Sequence, residues 1–126
     1  MHRRVLPQRR QGYTHEAIVG GQKIFLGTGE YADGTLGEIF INVNKKEALL
    51  SSMLNCFCVA VSLGLQYGVP LEKFVDQFTF TKFDPAGPVQ NHSRIKLATS
   101  LMDFVFRDLA LHYLGRDDLG HVKPEE

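Results

Sequence analysis

One apolar stripe, closed at both ends, constrains this chain more than any other feature. Leu50, Met53, Leu54, Phe57, Val61 and Leu65 recur at three- and four-residue intervals, which places them along one side of an α-helix. Asn44 stands where an N-cap would, and Glu47 three residues on completes a capping box. Gly68 suits the left-handed residue that ends a helix, and Pro70 cannot continue one. A long helix therefore occupies the middle of the chain and separates two differently patterned halves.

The half before it reads as a β-meander. Residues 13–19 form one strand and residues 22–28 a second, with Gly20-Gly21 between them. A two-residue hairpin needs positive φ, which glycine adopts without a steric penalty. Asp33-Gly34 marks another tight turn before a third strand at 36–42, where Ile39 and Ile41 share one face and Glu38, Phe40 and Asn42 the other. The half after the long helix begins with a short helix from Pro70, whose apolar face is Leu71, Phe74, Val75 and Phe78. Residues 79–92, with two prolines, a glycine and two phenylalanines, read as a long loop of the kind that carries function. Ser93 is then the expected cap of a last helix with the stripe Ile95, Ala98, Leu101, Met102, Val105 and Leu109, ended by Gly115. Asp103 and Arg107, four apart, would pair on its surface for about 0.2–0.5 kcal/mol. The expected fold is α+β: a three-stranded antiparallel meander packed by two long helices and one short helix, in a single domain over residues 1–126. A sheet of so few strands leaves edges to cover, which favours a homo-oligomer.

Charge excludes some functions. Fourteen Lys and Arg balance fourteen Asp and Glu, which argues against a broad grip on duplex nucleic acid or an anionic membrane. The distribution is uneven: Arg3, Arg4, Arg9 and Arg10 make a basic arm over about 1–11, and Asp117, Asp118, Glu125 and Glu126 an acidic tail over about 117–126. These are either solvated ends or arms that reach another subunit. The N-terminus has no apolar signal region, no run approaches membrane-spanning length, and there are two cysteines. A reduced, cytoplasmic setting is the expectation.

Candidate chemistry is sparse. Cys56 and Cys58, two apart on a helix, point about 200° apart and cannot close a disulfide or share a metal; they read as core or groove filling. None of the five histidines has the spacing of a helical zinc pair, and no local signature of a nucleophile and its base is visible. The expectation is no catalytic residue, no metal and no cofactor. Gly27-Thr28-Gly29 follows a strand but opens no helix, so hairpin geometry explains it better than a dinucleotide turn. The most suggestive segment runs from Lys82 to Arg94. A helix beginning at Ser93 would present free N–H groups and a positive dipole to a phosphate, with Arg94 and Lys96 in its first turn. Phe83 could stack on a base while Gln90, Asn91 and His92 bond its edge; equally, Phe83 could cap the core and the polar residues close the loop.

These residues carry a resemblance. The string Thr79-Phe80-Thr81-Lys82-Phe83-Asp84-Pro85-Ala86-Gly87-Pro88-Val89 resembles a stretch near the C-terminus of class II, cobalamin-dependent ribonucleotide reductases. So do Gly37-Glu38-Ile39-Phe40-Ile41, Ser62-Leu63-Gly64-Leu65-Gln66-Tyr67-Gly68-Val69-Pro70, and Ala98-Thr99-Ser100 leading to Tyr113-Leu114-Gly115-Arg116-Asp117-Asp118-Leu119. The likeness covers about Arg4 to Val122. That family works through a ten-stranded barrel, active-site cysteines, cobalamin and a redox cysteine pair in a terminal tail. This chain has no cysteine after Arg116 and is too short for the barrel, so the resemblance does not carry reductase activity with it.

The same region is similar to phage Thoeris anti-defence sponges of the first type, which are stand-alone relatives of this reductase domain. That resemblance implies a non-catalytic protein that sequesters cyclic ADP-ribose isomers and, in some members, cyclic trinucleotides, as an anti-Thoeris and anti-CBASS device. It implies dimers or hexamers with sites between subunits, in a bacterial host cell. By the same resemblance Phe83 corresponds to the aromatic that stacks on adenine, Asn91 and Arg107 to its polar and basic contacts, with Arg94 and Arg116 as further candidates. The expected function is accordingly a nucleotide sponge. The alternative is a detached accessory or regulatory module of a class II reductase, binding a reductase chain or dATP.

Overall fold

The structure is a computed structural model that describes residues 2–44 and 46–124; Glu125 and Glu126 of the expected acidic tail lie outside the described residues. The fold is α+β, as the sequence implies. Its elements are β1 (Thr14–Val19), β2 (Gln22–Glu30), β3 (Leu36–Val43), α1 (Ala48–Gln66), α2 (Leu71–Phe78), β4 (Gly87–Gln90), β5 (Leu97–Ala98) and α3 (Leu101–Tyr113), followed by a 3-10 turn at Asp117–Leu119. The sheet has five strands in the order β3-β2-β1-β4-β5. The meander is therefore present, and two short strands extend it, β4 where the sequence reads as loop and β5 where it reads as the start of the last helix. The chain divides into two compact units, one of residues 1–16 and 24–71, the other of 17–23 and 72–126.

In the first unit, β2 and β3 pair antiparallel from Ile24 opposite Val43 to Glu30 opposite Leu36. Ile24, Leu26, Ile39 and Ile41 are buried, while Phe40 is half exposed; alternation of period two sorts them. Helix α1 lies along β3 and buries Leu54, Cys58 and Val61. Two side chains of α1 bond the strand's backbone: Ile39 N donates to Ser62 Oγ at 3.0 Å and Gln66 Nε2 donates to the Gly37 carbonyl at 3.0 Å. The helix begins at Ala48, later than expected. Glu47 is its N-cap without a side-chain bond, and Asn44 instead accepts from Lys46 N in a turn before the helix. Gly68, at φ 100°, ends it as expected.

The basic arm lies back on this unit. Arg3 Nε donates to Gln66 Oε1, Arg4 pairs with Asp33 at 3.0 Å and stacks its guanidinium 3.8 Å over Tyr31, and Arg10 pairs with Glu38. Leu6 completes the arm's seating against Gly37, where an added Cβ would come within 2.6 Å of Leu6 Cδ2. Arg4, Thr35 and the turn hold the Asp33 carboxyl at about 2, the hydroxyl and N–H of Thr35 being the largest causes and Arg4 the next.

The second unit is built around α3. Every residue from Leu101 to Ala110 is buried, so this helix is covered all round rather than along one stripe. The expected start at Ser93 is wrong. Ser100 is the N-cap, and its hydroxyl accepts from Asp103 N at 2.9 Å. Residues 97–98 are instead strand β5, paired with β4 through Gly87 opposite Ala98 and Pro88 opposite Leu97. A helical stripe drawn through Ile95 and Ala98 fails because Ile95 is buried from a loop and Ala98 from strand β5, and together they satisfy the same apolar count. The other edge of β4 pairs with β1, Ile18 opposite Gln90 and Val19 opposite Val89. The turn at Gly20-Gly21 has positive φ at both residues, and a Cβ on Gly20 would meet the Ala86 carbonyl oxygen at 2.3 Å. Phe78 of α2 packs on Phe106 with ring centroids 5.3 Å apart.

Candidate functional site

The segment from Thr79 to Arg94 forms one wall of an open pocket of about 410 Å³, lined by Lys82, Phe83, Asp84, Ala86, Gly87, Leu97, Ala98 and Thr99. Phe83 is 41% exposed there, and its N–H donates to the Thr99 carbonyl at 3.1 Å. That bond joins the loop to the residue before the N-cap of α3. The Thr99 hydroxyl donates back to the Thr81 carbonyl at 2.8 Å. The pocket is mostly apolar, with Lys82 and Asp84 as its charged members.

Beneath it lies a buried ion pair that sequence spacing puts on the surface. Asp103 is fully buried and Arg107 is 8% exposed. Asp103 Oδ1 accepts from Phe80 N at 2.7 Å and from Arg107 Nε at 3.0 Å; Oδ2 accepts from Thr99 N at 3.0 Å. Arg107 Nη1 donates to the Leu119 carbonyl at 2.8 Å, and the guanidinium sits 4.7 Å from the centre of the Phe80 ring. Phe80 itself has φ 71° and is exposed. A bulky side chain at positive φ is strained and persists where its surroundings hold it; the Asp103 carboxylate and the Arg107 plane are the holders. The expected surface pair is thus an internal clamp joining three segments, and the fractions of a kcal/mol assigned to an exposed pair do not apply. Sequence gives no signal for this beyond the unusual density of aromatics in the loop.

The remaining candidate residues are placed as follows. Gln90 ends β4 and is exposed. Asn91 follows at φ 66° and is exposed. His92 is half-buried with its imidazole turned inward: Nδ1 accepts from the N–H groups of Arg94 and Ile95, both at 3.0 Å, and Nε2 faces Asp108 Oδ1 at 2.8 Å. Two donors on Nδ1 require the proton on Nε2, so neither ring nitrogen is left as a general base. Arg94 Nε donates to the Val122 carbonyl at 3.0 Å and Nη1 pairs with Asp117 at 3.1 Å. Arg116 makes a two-point pair with Asp118 at 3.0 and 2.9 Å, which raises the guanidinium pKa and lowers that of the Asp118 carboxyl. Lys96 N donates to His121 Nδ1 at 3.0 Å.

These contacts correct the expected phosphate cradle. No helix starts at Ser93, and the amides of residues 94, 95 and 96 are held by His92 and His121. Phe83 and the pocket remain on the surface, but the ring is not set beside a free helix start. The two cysteines differ as a helix demands: Cys56 is exposed and Cys58 buried, and burial pushes the Cys58 thiol up to about 11. A thiol so shielded is a poor nucleophile at neutral pH.

Comparison with known proteins assigns the chain. The model of the TSCPD domain matches residues 2–113. The chain belongs to the TSCPD domain family. Over 124 residues this TSCPD chain is 60% identical to a vitamin B12-dependent ribonucleotide reductase of Bradyrhizobium diazoefficiens, covering 98% of the chain and 10% of that protein. A protein of the same description from Agrobacterium fabrum is 61% identical over 120 residues, covering 95% of the chain and 9% of the relative. One from Streptantibioticus cattleyicolor is 42% identical over 127 residues, covering 98% of the chain and 21% of the relative. The chain thus spans between about a tenth and a fifth of the curated relatives it matches. No solved structure matches it significantly. The expected sponge function is overturned by these relatives: they are named as B12-dependent reductases, and none of them supports anti-defence activity, cyclic ADP-ribose or a phage origin.

The relatives' name raises the question of a corrinoid site, and the pocket beside Phe83 does not fit one. The pocket beside Phe83 has the volume of a site for a drug-sized ligand, smaller than a corrinoid with its nucleotide tail. Neither imidazole nor thiol lines it, and the buried imidazole of His92 is committed to the backbone and Asp108.

Proposed function

We propose that this TSCPD chain is a non-catalytic accessory module of a B12-dependent ribonucleotide reductase, acting on the reductase body rather than on a ribonucleotide. The observation that carries the reading is the 60% identity along 98% of the chain to a segment making up only 10% of such a reductase. The site geometry supports it. The ionisable groups at the core of the second unit, Asp103, Arg107, His92 and Asp108, are engaged with one another or with backbone, which suits a rigid scaffold. The exposed features are a half-exposed Phe83, an exposed Phe80 and a pocket edged by Lys82.

That pocket is the module's contact for a nucleotide effector such as dATP. Stacking of a base on Phe83 would contribute about 1–3 kcal/mol, and the Lys82 ammonium is a point charge for phosphate. The reading is tested with the Bradyrhizobium reductase from which the matched segment has been deleted. Adding this chain in trans is expected to change turnover or its dATP dependence and to co-elute with the reductase. Unchanged turnover at every dATP concentration, with no co-elution, would reject it.

A further inference from the structure

The outward side of α1 is a feature that the proposed function leaves unused. Leu49 is 78% exposed, Met53 63% and Val59 52%, and Leu63 and the C-cap Tyr67 are also exposed. On a helical wheel these residues, with Ser52, Cys56 and Ala60, centre on the side opposite the buried Leu54, Cys58 and Val61. From Ala48 to Leu71 the sequence holds no charged residue. Most surface helices of soluble proteins carry charge on their outer side, so this one is apolar or neutral all round while only one side is covered.

We propose that this face is a self-association surface, on which α1 of one copy packs against α1 of a second copy. Three observations point to a copy of the same chain. The stripe carries no charge of either sign, so a charged partner would lose its hydration and gain no counter-charge, whereas the stripe meeting itself leaves no ion unpaired. Its relief is self-complementary: Ser52, Cys56 and Ala60 form a row of small side chains at four-residue intervals, flanked by Leu49, Met53, Val59 and Leu63. A two-fold interface sets the large residues of each copy beside the small row of the other. Its extent is sufficient: 19 residues span about 28 Å at the helical rise, and such a strip buries several hundred Å² per copy, at the lower end for a specific interface.

Against the expectation that no run approaches membrane-spanning length, α1 is by length and composition apolar enough to cross a membrane. Its inner side is held to β3 by the Ser62 and Gln66 bonds as well as by apolar burial, which a spanning helix would have to give up. The neutral row also supplies a probe. Cys56 lies near the middle of α1, so either a parallel or a centred antiparallel two-fold pair brings the two Cys56 thiols near each other. Cys58 faces inward, and its thiol is unreactive at neutral pH.

The test uses the full chain. Light scattering after size exclusion at tens of micromolar is expected to give twice the mass of one chain, and a short bis-maleimide is expected to link two chains through Cys56. Met53→Glu and Leu63→Glu should each halve the mass and abolish the link, with circular dichroism and melting showing that the fold is retained. Leu97→Glu, at an exposed leucine on β5, should leave the mass unchanged. If either α1 variant unfolds, Ala60→Arg, which blocks close approach from an already exposed position, is read instead. A monomer of the unaltered chain would overturn the proposal, as would a dimer that survives all the α1 variants. Flotation of the chain with neutral phosphatidylcholine vesicles, or capture of a monomeric chain by the reductase body through α1, would overturn it in favour of another occupant. The outcome is independent of reductase turnover.

Discussion

Single side chains decide whether the second unit holds together. Asp103 is the residue on which most depends, because it receives two backbone N–H groups and the Arg107 guanidinium inside a region closed to water. Asp103→Ala would leave a buried cation without its counter-charge and release Phe80 from its left-handed position. We expect a loss of about 3–5 kcal/mol, the range for breaking a buried pair from one side, measured by urea denaturation. Arg107→Met should cost less, since Asp103 keeps both backbone donors. A loss under 1 kcal/mol for Asp103→Ala would show that the clamp is dispensable. Two acid–base groups give pH predictions of opposite sign. Asp33 is held at about 2 against an ordinary 3.8, so its contribution is present above about pH 4 and fades as pH falls toward 2. The Thr35 amide shift should therefore titrate with a midpoint near 2, and Asp33→Asn should abolish that titration. Cys58 is displaced the other way, from 9.0 to about 11. Its preference for the neutral thiol stabilises the fold below about pH 9 and is lost as pH climbs through 11. A thiol reagent at pH 8 should then count one cysteine in the folded chain and two in denaturant.

At the scale of elements, what was legible in the sequence was what local rules control. Gly20-Gly21 between two alternating runs placed the first hairpin, and Gly68-Val69-Pro70 placed the end of α1, because a positive φ and a missing N–H act on their own residues. The start of α3 is not legible because Ser93 and Ser100 are both acceptable caps, and apolar residues at 95 and 98 fit a helix as well as a loop that leads into a short strand. Only tertiary pairing, Val89 N to the Lys96 carbonyl and Pro88 beside Leu97, selects the extended form. The same displacement removed the expected phosphate cradle, since amides that would head a helix are instead wrapped around His92. Phe83 was readable as a surface aromatic beside a functional loop; the buried state of Asp103 and Arg107 was not, because four-residue spacing says nothing about which neighbours cover a helix. The true cap is testable. Ser100→Ala removes the acceptor for Asp103 N and should cost about 0.5–2 kcal/mol, whereas Ser93→Ala should change stability little. Equal losses at both positions would contradict the α3 boundary.

At the scale of the whole molecule, the proposed role rests on a short chain that matches a small share of much larger proteins, and exchange between them is the decisive measurement. The chain and the Agrobacterium segment share 61% of their residues over 120 positions, so a chimaera in which this chain replaces that segment should fold. If the module serves the reductase body, the chimaera should retain turnover within a few-fold of the parent, while deletion of the segment should change turnover or its dependence on dATP. Within the chimaera, Phe83→Ala should leave the fold intact, because the ring is already half in water and only its N–H is used by Thr99. It should nevertheless weaken the dATP response about five-fold or more, since losing a stacking face worth 1–3 kcal/mol corresponds to between about five- and more than a hundred-fold in affinity. Asp103→Ala in the same chimaera should abolish the response by unfolding the second unit, and proteolysis would reveal that. A Phe83→Ala chimaera with an unaltered dATP response would confine the module to a scaffolding role and remove the pocket from the account.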